Sequence, residues 1–61
     1  MNESLQKAKI GIAVSQKMIA DMEEKLQEAI RHENWSRAAD LKSYISGMEQ
    51  ILIVFEQAVN S

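Results

Sequence analysis

The apolar residues of this chain recur at alternating steps of three and four, and that spacing restricts it to α-helix. Leu5, Ala8, Ile12, Ser15, Ile19, Met22, Leu26 and Ala29 follow it in the first half; Ala38, Leu41, Ile45, Met48, Leu52, Phe55 and Val59 follow it in the second. A period near 3.5 lays each set along one stripe of a helix, whereas a strand needs a period of two. No Pro interrupts either half, and the residues from Glu3 to His32 are mostly good helix formers. The spacing predicts helix one over about residues 3–32, a corner at 33–35 and helix two over about 35–59. Helix one would be about 45 Å long at a rise of 1.5 Å per residue.

The corner lies in RHENWSRAADL, residues 31–41, where the single Trp and single His of the chain gather. Asn34 is the expected N-cap of helix two, because its side-chain oxygen can accept from the backbone N–H of Ser36 or Arg37. So short a corner forces the helices antiparallel. The fold expected is therefore all-α, one helical-hairpin domain over residues 1–61.

A second apolar stripe runs down helix two through Tyr44, Gly47, Ile51, Val54 and Ala58, and helix one carries a shorter one at Gly11, Val14 and Met18. Folding the hairpin sets the two side by side at the open end, away from the corner. The seam closes the hairpin; this second face needs another surface, since each Å² of apolar area left in water costs roughly 25 cal/mol. A chain of 61 residues without Cys has neither a large core nor disulfides to stabilise it. A twofold dimer forming a four-helix bundle answers both needs, with these eight residues as the expected dimer interface. Gly11, with Ser4, Ala8 and Ser15, forms a ridge of small residues that another helix can approach closely. Gly47 either does the same in helix two or marks a kink or early end.

The chemistry available is narrow. A formal net charge of −2, with the basic residues scattered, argues against nucleic acid, and helix two offers only Arg37 and Lys42 as cations for a DNA-reading helix. The longest apolar run, ILIVF at 51–55, is far shorter than the roughly 20 residues of a membrane span. The N-terminus lacks the apolar core of a signal peptide, so a cytoplasmic location is expected. Glu28 and His32 stand one turn apart, but no second His and no Cys complete a metal site. Glu23, Glu24, Glu28 and Glu33 would need a water-poor pocket to act as acid and base, which two helices do not enclose. No catalytic residue, metal or cofactor is expected. Lys17 and Asp21, one turn apart, read as a surface ion pair. Trp35 is expected to fold back against Ile30 or Leu26 and seal the hairpin tip.

The stretch MEEKLQEAIRHENWSRAADLKSYISGMEQ, residues 22–50, resembles the UVR motif. That motif is the short helical hairpin found near the C-terminus of the excision-repair helicase subunit, in its nuclease partner and in some Clp-type chaperone and adaptor proteins. The family places a Leu and an Ala-Ile pair late in its first helix, matched by Leu26, Ala29 and Ile30. An amide or acidic residue with an aromatic follows at the turn, as Asn34 and Trp35, and then two Ala and a Leu, as Ala38, Ala39 and Leu41. After that Leu the family usually has Arg-Asp, where this chain has Lys42 and Ser43. The resemblance implies a protein interaction module that pairs with itself or a similar hairpin and docks on a larger protein. His32, Trp35, Arg37 and Lys42 at the corner are the candidates for that contact. The alternative expectation is a free-standing small regulator of the phage or plasmid type that inhibits or bridges a host protein.

Overall fold

A computed structural model describes residues 2–60 of the chain; residues 1 and 61 of the expected domain lie outside the described residues. Two α-helices, α1 (Asn2–Arg31) and α2 (Trp35–Asn60), run antiparallel as a hairpin of 47 × 14 × 12 Å. Both ends at the corner fall within a residue of the boundaries that the apolar spacing predicts.

The corner is built from backbone hydrogen bonds. Asn34 N donates to Ala29 O at 2.8 Å and Glu33 N to Ile30 O at 3.0 Å, the paired six-to-one and five-to-two bonds of a Schellman motif. That motif requires a left-handed residue just past the helix end, and Glu33 supplies it with φ 56°. A side chain there is strained, since the left-handed region favours Gly. Asn34 serves both helices: having closed α1 with its N–H, it caps α2 by accepting from Arg37 N through Oδ1 at 3.3 Å. Ala38 N then donates to Asn34 O at 3.0 Å as the first turn of α2.

Burial follows the seam. Ser15, Ala29, Ala38, Leu41 and Ile45 are buried; Ala8, Ile12, Ile19, Met22, Leu26, Met48, Leu52, Phe55 and Val59 are half-buried. Among the seam residues only Leu5 is exposed. The tightest packing lies next to the corner, where Ala29, Ala38 and Leu41 form a buried cluster with Met22 and Leu26 against it. Small residues there bring the helices close together.

Trp35 does not seal the tip. It is the first residue of α2 and 62% exposed, while Ile30 is exposed as well. Ala29 and Ala38 already close the helices at this level, leaving no space for an indole between them. Gly11 also differs from the ridge expected for an external helix. A Cβ built on it would lie 2.8 Å from the tip of the Phe55 ring, so it is α2 of the same chain that uses the missing side chain. Gly47 neither ends nor interrupts α2, and a Cβ there would meet nothing within 4 Å.

Candidate interaction surfaces

The two long sides of the hairpin differ in chemistry. On one side, α1 contributes Lys25, Glu28 and His32 and α2 contributes Arg37 to a cleft of about 270 Å³ beside the corner. The helical repeat carries this side toward the open end through Met18, Val14 and Gly11 on α1 and through Tyr44, Gly47, Ile51, Val54 and Ala58 on α2. It changes from charged to apolar along its length. The opposite side is mixed: Glu23, Gln27 and Arg31 of α1 face Lys42 and Glu49 of α2 across a broader groove, and the exposed Ile53 follows one turn beyond Glu49.

The apolar half of the first side is open to water. Val54 is 63% exposed, Val14 52%, Tyr44 49% and Ile51 47%, with Gly47 and Ala58 exposed between them. Met18 and Gly11 are half-buried at its edge. The structure therefore brings the predicted stripe residues together on one continuous face.

The candidate docking residues separate. His32 and Arg37 share the charged cleft with Glu28, whose Oε1 lies 3.9 Å from His32 Nε2. Lys42 lines the opposite groove, and Trp35 projects from the tip. The pair Lys17–Asp21 forms at 3.8 Å between exposed side chains. Among the described residues no group of three His, Cys, Asp or Glu could hold a metal ion, and no helix is long and apolar enough to cross a membrane.

Apolar spacing alone did not single out Ile10, exposed one turn from Val14 at the edge of the stripe, or Ile53, exposed on the opposite side. The signal for Ile53 was present in the run ILIVF: five apolar residues in succession pass around the helix, so no single contact can cover them all.

These features define a class, the antiparallel helical hairpin with a capped corner and an exposed apolar face. Within it the chain belongs to the UVR family: the UvrB/uvrC motif matches residues 16–51, more than half of its length. The match takes in the corner, the buried Ala29–Ala38–Leu41 cluster and part of the open-end face. No curated protein and no solved structure matches the chain.

Proposed function

We propose that the chain is a non-enzymatic interaction module, pairing with a second copy through the open-end face and docking on a larger protein through its corner. The observation that carries this reading is the row Val14, Tyr44, Ile51 and Val54, each about half exposed on one face of a hairpin whose seam is already used. Side chains of this size leave roughly 300–400 Å² of apolar surface in water, within the extent of the largest patch on a typical monomer. Covering it with an identical patch removes that area twice. The result is a four-helix bundle with helices from each copy.

Family membership supports the second half of the reading, since the match, residues 16–51, spans the corner. Trp35 offers a large, rigid and already exposed anchor there. His32, Arg37 and Lys42 surround it with charge on both sides.

Sedimentation equilibrium at micromolar concentration tests the assembly. The unmodified chain is expected at twice its monomer mass, Ile51→Glu or Val54→Glu at the monomer mass, and Arg37→Glu or His32→Ala still paired. A monomer from the unmodified chain overturns the self-pairing. For docking, Trp35→Ala is expected to release the protein that the immobilised chain retains without changing the dimer mass. Undiminished retention removes Trp35 from that role.

A further inference from the structure

Resting on that self-pairing, we infer that the two hairpins lie with their corners at opposite ends, about a twofold axis crossing the face between Val14 and Ile51. The Phe55 ring lies over Gly11, so residues 11 and 55 are level in the hairpin. Counting equal rises from there sets Val14 level with residue 52, one position from Ile51. The centres of the two stripes therefore coincide in height.

Each stripe is balanced about its centre. On α2, Tyr44 and Ala58 stand seven residues to either side of Ile51, and Gly47 and Val54 stand four before and three after it. On α1, Lys7 and Asp21 stand seven residues to either side of Val14, with Gly11 and Met18 between them. An axis perpendicular to the helices lays α1 on its copy and α2 on its copy, running in opposite directions. Tyr44 then falls against Ala58, and Met18 lies level with Gly11, whose own space the Phe55 ring already fills. Val54, the most exposed large side chain of the face, falls against Gly47, where a Cβ would meet nothing within 4 Å. Lys7 meets Asp21. On α2 large side chains meet small ones, and at the rim Lys7 faces the Asp21 that already stands beside Lys17, a contact of opposite charges.

The other symmetric arrangement, with both corners at one end, lays α1 on the partner's α2. It sets Lys7 against Ala58 and Asp21 against Tyr44. It also draws Lys25, Glu28, Arg37 and Asp40 of both copies into the interface. Pairs among such exposed groups gain little, and removing their water is costly. The opposed arrangement leaves Glu28, Arg37 and Asp40 in water, sets Lys25 level with Glu3 of the second copy, and covers the apolar face. It also carries the Trp35 tips to the far ends of the dimer, about 48 Å apart at 1.5 Å per residue, so that one dimer bridges two copies of a docking partner.

Nitroxide labels on His32→Cys read the arrangement directly by double electron–electron resonance. A distance near 55 Å is expected; one below about 30 Å, the spacing of corners on adjacent helices, overturns the opposed arrangement while leaving self-pairing intact. No inter-label distance, with a monomer mass in sedimentation, overturns both. Lys7→Asp and Asp21→Lys are each expected to weaken the dimer about three- to tenfold, and the double variant to recover it. A double variant as weak as the singles overturns the Lys7–Asp21 contact.

Discussion

The two ends of the hairpin share one apolar spacing but not one state of packing. Near the corner, Ala29, Ala38, Leu41 and Ile45 are buried; toward the open end Ile12, Leu52, Phe55 and Val59 occupy equivalent seam positions and are only half-buried. Spacing decides which residues face the neighbouring helix, and residue size decides whether that neighbour can enclose them. Two Ala let the helices close at the corner, whereas Leu52, Phe55 and Val59 follow one another along α2 at the open end and leave surface that one helix cannot cover. The end with the larger apolar residues is thus the less complete one, and it is there that a partner has most to contribute.

Truncating each end separates them most sharply. Ile45→Ala removes a side chain that is 3% exposed and is expected to cost about 2–4 kcal/mol of hairpin stability, read from the urea midpoint. Val54→Ala, measured below the dimer dissociation constant, is expected to cost less than about 0.5 kcal/mol, as for other exposed positions. Comparable losses at the two sites would show that the open-end face belongs to the core of the single chain.

The glycines extend the contrast. Gly11→Ala is expected to destabilise by about 1–2 kcal/mol, because the new Cβ would lie 2.8–2.9 Å from ring carbons of Phe55 and overpacking outweighs the gain in helix propensity. Gly47→Ala, in the monomeric Val54→Glu background, is expected to stabilise by about 0.5–1 kcal/mol, because nothing lies near the added methyl. The same substitution in otherwise unmodified protein is expected to weaken pairing, since it fills the space assigned to Val54 of the second copy. Thermal melts of both glycine variants across a concentration series distinguish the two effects.

Most of the architecture was legible because it rests on periodicity and local caps. The seam, both helix boundaries at the corner and the Asn34 cap follow from residue spacing and the chemistry of one amide side chain. The apolar face was legible for the same reason, as a second set at the same period. What escaped depends on distances across the hairpin. Trp35 packs or projects according to how closely Ala29 and Ala38 bring the helices, and periodicity contains no such distance. Gly11 shares its small size with the residues around it, and only the register of α2 shows that Phe55 fills its space. Glu33 gave no signal at all, because a left-handed residue is recognised in sequence by being Gly or Asn.

That residue offers the smallest of these effects and a control for the comparison. Glu33 holds φ 56° because the two Schellman bonds and the Asn34 cap on either side leave the chain no other path. Glu33→Gly removes the strain of a side chain in that region but adds freedom to the unfolded chain, and the balance is a gain of about 0.5–1 kcal/mol. Asn34→Ala is expected to lose about 1 kcal/mol by uncapping α2. Both changes lie at the corner, far from Val14 and Ile51, so they should shift the unfolding midpoint while the dimer dissociation constant among folded molecules stays unchanged. A change in that constant with either variant would mean that the corner contributes to the pairing face, and the division of labour between the two ends would fail.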